Sequence, residues 1–183
     1  MNITVFLGSS EGRDPAVRFA LIELAGWIAD AGHVLIYGGS KVGMMGVLAQ
    51  TAKAHGGRVI GIEPQFFVEA CVQFDGVDEL IVTPDMAVRK DKLIRMADMV
   101  IAFPGGMGTL EELSQALSMA NLGHASPKCV VYNVNGYYDA LRDLLDGMVR
   151  GGFYRAESRD AVVFANDLSD IVRAAEEVEH HEV

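Results

Sequence analysis

Residues 104–112 read Pro-Gly-Gly-Met-Gly-Thr-Leu-Glu-Glu and follow directly on the apolar run Met99–Phe103. Glycines where a buried strand ends leave backbone N–H groups bare, and a helix starting there adds the positive end of its dipole. Together these make an anion site, with phosphate the obvious anion. A Cβ at such a position would keep the anion's oxygens from the backbone. Two other strand ends share this character, Gly8-Ser9-Ser10 and Gly38-Gly39-Ser40-Lys41-Val42-Gly43. Ordinary turn chemistry accounts for any one of these loops. Three at the same edge of a sheet point to a ligand, because open parallel sheets bind beyond their carboxyl ends, where strand order reverses.

Thr109 and Glu112 have two readings. The spacing Thr-x-x-Glu before Leu113 is that of a capping box, with threonine at the N-cap and glutamate reaching back to its amide. The chemical reading puts Glu112 beside a bound phosphate. A carboxylate in the first helical turn is stabilised as an anion, so its pKa is expected to fall. Such a group is a poor acid at neutral pH, but it suits a base or a partner for developing positive charge. Upstream, Met86-Ala87-Val88-Arg89-Lys90 follows a short strand. Arg89, Lys90, Lys92 and Arg95 fit a solvated helix face, with Asp91 and Arg95 paired at i,i+4. A single arginine near the strand ends has the alternative role of clamping a ligand with its planar donor fork.

Standard nucleotide fingerprints do not match. The dinucleotide pattern needs a third glycine where Glu111 stands, and the P-loop needs Gly-Lys-Ser/Thr where Gly43 is followed by Met44. Glu63 lies about where a ribose-binding acid follows a nicotinamide loop, but the glycines that should accompany it are wrong.

The elements that must position these residues are legible as alternation. Strands are expected at Ile3–Leu7, Val34–Tyr37, Arg58–Ile62, Leu80–Val82, Met99–Phe103, Cys129–Val134 and Val162–Ala165. Helices are expected at Ala16–Ala31, Met44–His55, Asp85–Ala97, Leu110–Leu122, Tyr138–Arg150 and Leu168–Val178. Pro64–Gln73 shows no clear pattern, and the acidic end Glu176–Val183 reads as a fraying, solvated tail. Near-continuous apolar strands separated by helices predict an α/β fold: a Rossmann-like open, mostly parallel sheet with helices on both faces. Without a linker, composition shift or repeat, residues 1–183 are expected to form a single nucleotide-binding catalytic domain.

Bulk properties narrow the partners. A net charge of −10 over 183 residues argues against nucleic acid or an anionic membrane, both of which favour a basic face. It leaves room for a small anion held by local dipoles. No apolar run is long enough to span a bilayer and the N-terminus lacks a signal-peptide layout. Cys71 and Cys129, far apart and in no C-x-x-C arrangement, fit buried packing residues in a reducing cytoplasm. The expected location is cytoplasmic.

Taken together, the motifs resemble the Lonely Guy family of nucleoside 5′-monophosphate phosphoribohydrolases, often mislabelled lysine decarboxylases. Pro104–Glu112 matches the family's P-G-G-x-G-T-x-x-E in full, and Met86–Lys90 matches its M-x-x-R-K. The G-S-S turn, the Tyr37–Gly46 stretch and Asn133-Val134-Asn135-Gly136-Tyr137-Tyr138 also fall in their places, so the likeness covers nearly the whole chain. It implies hydrolysis of the N-glycosidic bond of a purine nucleoside 5′-monophosphate, AMP-like or cytokinin-type, to free base and ribose 5-phosphate, with no cofactor and no metal. The implied catalytic pair is Arg89 and Glu112. Gly105, Gly106, Met107, Gly108 and Thr109 become the phosphate cradle, with Gly8, Ser9 and Ser10, and Gly39, Ser40 and Lys90, as further substrate-binding positions. A homodimer is also implied.

Ser40 and Lys41, Ala87, Glu63-Pro64 and Leu7 depart from the family's usual residues; Lys41 offers a further phosphate contact, and Ala87 and Glu63 leave base preference open. Ionised Glu112 would stabilise oxocarbenium character on the sugar and orient or deprotonate water. Arg89 would hold that carboxylate or the sugar hydroxyls, or assist departure of the base. No lysine sits in a recognisable pyridoxal phosphate context. Two other readings stand beside this one: a carrier or sensor of a phosphorylated cofactor, like the molybdenum cofactor carriers of similar fold, and a nicotinamide-dependent oxidoreductase.

Overall fold

Ile3, Val5 and Phe6 are fully covered by protein, as a strand is when both faces of its sheet carry helices. They belong to β1 (Asn2–Phe6), the central strand of a seven-stranded parallel sheet. The other strands are β2 (Val34–Tyr37), β3 (Arg58–Pro64), β4 (Glu79–Thr83), β5 (Met99–Ala102), β6 (Lys128–Tyr132) and β7 (Val163–Ala165), in the order β4-β3-β2-β1-β5-β6-β7. Every pairing is parallel, where a mostly parallel sheet was expected. The structure is a computed structural model describing residues 1–124 and 127–181, the last in its backbone alone.

Alternate residues along each strand feed two cores. Ile3, Val5, Leu35, Tyr37 and Ile101 pack with α1 (Pro15–Asp30), α2 (Gly43–Ala54) and α8 (Leu168–His181). Phe6, Ile36, Ile62, Val100 and Val131 pack with α4 (Met86–Arg95), α5 (Met107–Asn121) and α6 (Asp139–Arg150). Helix α1 ends where the sequence predicts. Gly32, at φ +73, lets His33 N–H reach Ile28 O at 3.0 Å and its own N–H reach Ala29 O at 2.9 Å, a two-bond helix stop that needs a left-handed residue.

Several expectations need correction. Pro64–Gln73 contains the short helix α3 (Gln65–Glu69) and then Cys71 at φ 56, left-handed and exposed. Only Cys129 of the two cysteines is a buried packing residue. The segment then bridges Ser40 to Gln73 in antiparallel fashion, closing over the second glycine loop. The one-turn helix α7 (Ala156–Asp160) has too few residues to show a period in the sequence. The tail does not fray from Glu176: α8 continues to His181, with Ile171, Ala174 and Ala175 anchoring it. The last two residues of that expectation, 182 and 183, lie outside the described residues. Among the described residues no helix is long and apolar enough to cross a membrane.

The order of the strands decides where a ligand can sit. The chain winds outward from β1 to β4, then returns to place β5 on the other side of β1. Register Phe6↔Ala102 brings the loops after β1 and β5 side by side at this reversal. Leu24 on α1 is fully buried against the central strands. Leu24→Ala is expected to lower unfolding free energy by about 2–5 kcal/mol in a denaturant titration. A change within experimental error would contradict the assigned core.

Candidate functional site

The loops at the strand reversal open into two adjoining compartments that share Gly8, Ser9 and Gly106. One, of about 310 Å³, holds Arg89, Glu112, Met107, Gly108 and Thr109. The other, of about 410 Å³, holds Ser10, Arg13, Gly105, Asn135 and Tyr137. Of the residues expected at the site, Gly39, Ser40 and Lys90 line neither. Ser40 Oγ accepts from Val42 N at 3.1 Å and donates to Val72 O at 3.4 Å, so it ties the second glycine loop to the segment over it. Lys90 pairs with Glu111. Lys41 is exposed and also lines neither compartment.

Arg89 is turned inward, against the solvated-face account of its helix. Asp85 caps α4, its carboxylate accepting from Ala87 N at 2.8 Å and Val88 N at 2.9 Å, and this fixes the first turn. Arg89 Nε donates to Ile62 O at 2.9 Å, Nη2 to Gly38 O at 3.4 Å and Nη1 to Glu112 Oε1 at 2.9 Å. Both side chains are almost wholly buried, at 8% and 12% exposure. The exposed side of α4 carries the expected Arg95–Asp91 pair at 2.7 Å.

Why the second loop has two glycines in succession is visible here. A Cβ on Gly38 would stand 2.3 Å from Arg89 Nη2. One on Gly39, whose φ is +88, would stand 2.3 Å from Glu63 Cγ. The pair of bare Cα atoms therefore admits an arginine and a carboxyl group where any larger residue would displace them.

The capping box does not form. Helix α5 starts at Met107, three residues before the apolar pattern begins, because Gly106 O already accepts from Leu110 N at 3.1 Å. Gly106 is the N-cap, with no side-chain cap, and Thr109 lies inside the helix. Thr109 Oγ1 is buried without a hydrogen-bond partner among the described residues, and Thr109 lines the Arg89–Glu112 compartment. Glu112 lies beyond the first turn, where the dipole has faded. Burial pushes its carboxyl above the ordinary value, against the pull of the Arg89 guanidinium. The expected fall is thus reversed, which makes Glu112 a stronger base when ionised.

The Asn133–Tyr138 segment was legible as a motif but not as a device. Tyr138 Oη donates to Phe103 O at 2.9 Å and Tyr137 Oη to Gly105 O at 2.6 Å, so two hydroxyls bolt the glycine loop on either side of Pro104. Asn133 Oδ1 accepts from Tyr138 N at 2.6 Å. Asn135, left-handed at φ 51, reaches Asp14 with Nδ2 at 2.9 Å. Sequence reading also missed the apolar walls formed by Met45, Phe67 and Met86 beside the ion pair. Residues so far apart in the chain carry no shared pattern.

Glu63 is 1% exposed, and its Oε1 has no hydrogen-bond partner among the described residues. Burial raises its carboxyl from 4.5 to about 7, with Arg89 pulling the other way. Tyr37 is raised as well, by burial and by Glu63.

A parallel sheet with a glycine-rich groove at its reversal defines an α/β protein of the Rossmann-like class, with the groove where such sheets place their ligand sites. A family model described as "Possible lysine decarboxylase" matches residues 45–175. A cytokinin riboside 5′-monophosphate phosphoribohydrolase, LOG7 of Arabidopsis thaliana, is 38% identical over 97% of this chain and 82% of that protein. A probable enzyme of the same name from rice, LOGL2, is 35% identical over 96% of this chain and 72% of that protein. The chain belongs to this family, the Lonely Guy phosphoribohydrolase family. Among solved structures, a molybdenum cofactor binding protein from Rippkaea orientalis superposes with TM-score 0.73 at 26% identity, covering 97% of this chain and 96% of that one. The molybdenum cofactor carrier protein of Chlamydomonas reinhardtii, at TM-score 0.76 and 22% identity over 98% of both chains, shares the fold.

Glu63 gives the fold a pH dependence. The unfolded chain releases this proton near 4.5 and the folded protein near about 7. Between those values the folded state binds more protons, so stability falls as pH rises and stays lower above that window. Glu63→Gln mimics the protonated acid. Its melting temperature is expected to overtake that of the unsubstituted protein increasingly from about pH 5 to about pH 8. Parallel curves across that range would show that Glu63 is not a strained carboxyl.

Proposed function

We propose that the groove hydrolyses the N-glycosidic bond of purine nucleoside 5′-monophosphates, AMP and its N6-substituted cytokinin-type derivatives, to free base and ribose 5-phosphate. The observation that carries this reading is the buried Arg89–Glu112 pair, facing the same compartment as Thr109 and the bare amides at the mouth of α5. The phosphoryl group docks on the amides of Gly106, Met107 and Gly108 and on the unpartnered Thr109 Oγ1. That grip sets the ribose against Glu112.

The bond from C1′ to the base nitrogen breaks, and its electron pair leaves with the base. Positive charge develops on the ribosyl ring and faces the Glu112 carboxylate. A water molecule then bonds to C1′ and gives its proton to Glu112, and the base takes up a proton from solvent as it leaves the groove. Each guanidinium nitrogen of Arg89 donates to a protein acceptor, Ile62 O, Glu112 or Gly38 O, and an arginine does not give up its proton in a protein. It therefore acts by holding the carboxylate, and not by protonating the base. Apolar Met45, Phe67 and Met86 exclude bulk water and cover the base. Gly8, Ser9, Ser10 and Gly105 complete the cradle. Gly39, Ser40 and Lys90 support it from outside.

The molybdenum cofactor binding protein of similar structure favours a second reading, a carrier that retains a phosphorylated ligand without cleaving it. The family model's description would require an amine for imine chemistry, yet among the described residues no lysine lines either compartment. We further propose one catalytic domain working in the cytoplasm as a homodimer; the exposed apolar residues Phe66, Val82 and Val88 support the association.

Purified protein incubated with AMP and an N6-substituted AMP is expected to release free base. Tight retention of uncleaved nucleotide would favour the carrier. Glu112→Gln is expected to lower kcat by about a hundred- to ten-thousandfold. In the unsubstituted protein, activity should fall at low pH along a limb lying above the ordinary carboxylate range, as Glu112 takes up a proton. Undiminished turnover in Glu112→Gln removes the carboxylate from the mechanism. Gly38→Ala, whose methyl would crowd Arg89 Nη2, is expected to cost about a hundredfold in kcat/KM. Full activity there would mean that the placement of Arg89 is immaterial.

A further inference from the structure

A phosphate monoester brings a charge of about −1.5 to −2 at neutral pH into a protein whose own net charge is −10. The cations available to it can be counted from the walls of the two compartments. Arg89 and Arg13 are the cationic side chains that line them among the described residues. Arg89 is neutralised by Glu112 and anchored to two carbonyls. Lys90 lies outside both and is paired with Glu111. The mouth of α5 contributes the equivalent of about half a positive charge. About one to one and a half negative charges of the phosphoryl group are left uncompensated.

Arg13 stands on the loop between β1 and α1, in the compartment that shares Gly8, Ser9 and Gly106 with the catalytic groove. It makes no hydrogen bond or ion pair among the described residues, although acids lie on both sides of it in the chain. Each of those acids is engaged elsewhere. Glu11 faces Arg18 at 3.8 Å, and Asp14 caps α1 through Ala16 N at 2.9 Å while accepting from Asn135 Nδ2 at 2.9 Å. Gly12, at φ +72 with open space where a Cβ would be, gives the loop its turn immediately before Arg13. A guanidinium with this freedom can present two parallel N–H donors to a phosphoryl group.

We infer that Arg13 is the phosphate anchor of the site: it closes over the 5′-phosphoryl group from the second compartment and discriminates phosphorylated ribosides from those without the phosphate. This inference rests on the hydrolase reading for its substrate. In its own terms it concerns binding of a ribose phosphate. Arg13 binds the non-reacting end of the substrate equally before and during bond cleavage, so its contribution belongs to KM and not to kcat.

The test uses Arg13→Gln and Arg13→Lys in the full chain, with melting temperatures as a control for folding. Calorimetric binding of ribose 5-phosphate is expected to weaken about tenfold or more in Arg13→Gln and to recover in part in Arg13→Lys. Adenosine, which lacks the phosphate, should bind all three proteins alike. KM for AMP should rise by the same factor with kcat within about twofold of the unsubstituted protein. Unchanged ribose 5-phosphate binding in Arg13→Gln, or an equal loss for adenosine, overturns the inference. A protein that cleaves no nucleotide but still shows the phosphate-selective loss overturns the hydrolase reading and leaves the anchor standing.

Discussion

Burying the guanidinium of Arg89 against the carboxylate of Glu112 removes both charges from water, at a cost that attraction alone does not reliably offset. The fold meets this with geometry. Two backbone carbonyls, Ile62 O and Gly38 O, take the remaining guanidinium nitrogens, and Gly38 has no Cβ to obstruct them. The pair is therefore poor evidence of stability and good evidence of use. Removing either partner would strand the other charge in the interior at roughly 3–5 kcal/mol.

From that constraint much of the surrounding structure follows. Helix α4 must be capped at Asp85 and start at Met86 for Arg89 to point inward, and α5 must start at Met107 for Glu112 to meet it beyond the first turn. The glycine loop that begins α5 must hold its shape with no side-chain cap. Tyr137 and Tyr138 supply that rigidity from the far side of the sheet's reversal. The same carboxylate is kept dry enough for its pKa to rise, the condition under which it becomes an effective base. Positioning, desolvation and charge here are consequences of one buried contact.

The sequence made the sheet legible because strands buried on both faces are apolar throughout, and because Gly32 and the glycine loops punctuate them. It made Arg89 and Glu112 legible through their paired motifs. It misjudged their setting. Thr-x-x-Glu has the spacing of a capping box, but spacing says nothing of whether the helix has already begun, and here it starts two residues before Thr109. The pKa expectation failed for the same reason, since a dipole argument ignores desolvation that only the packed structure reveals. The buried setting of Glu63 and the tyrosine bolts were hidden because both depend on groups far away in the chain. Cys71 was misread because the left-handed turn that exposes it is local geometry in a segment with no periodicity.

The central claim is that a phosphoryl grip at the mouth of α5 brings the ribose against Glu112. A crystal structure of Glu112→Gln with bound AMP tests it most directly. The account predicts phosphoryl oxygens on the amides of Gly106–Gly108 and on Thr109 Oγ1, with C1′ facing residue 112. A nucleotide whose phosphate lies away from that loop, or whose ribose turns its back on residue 112, would contradict it.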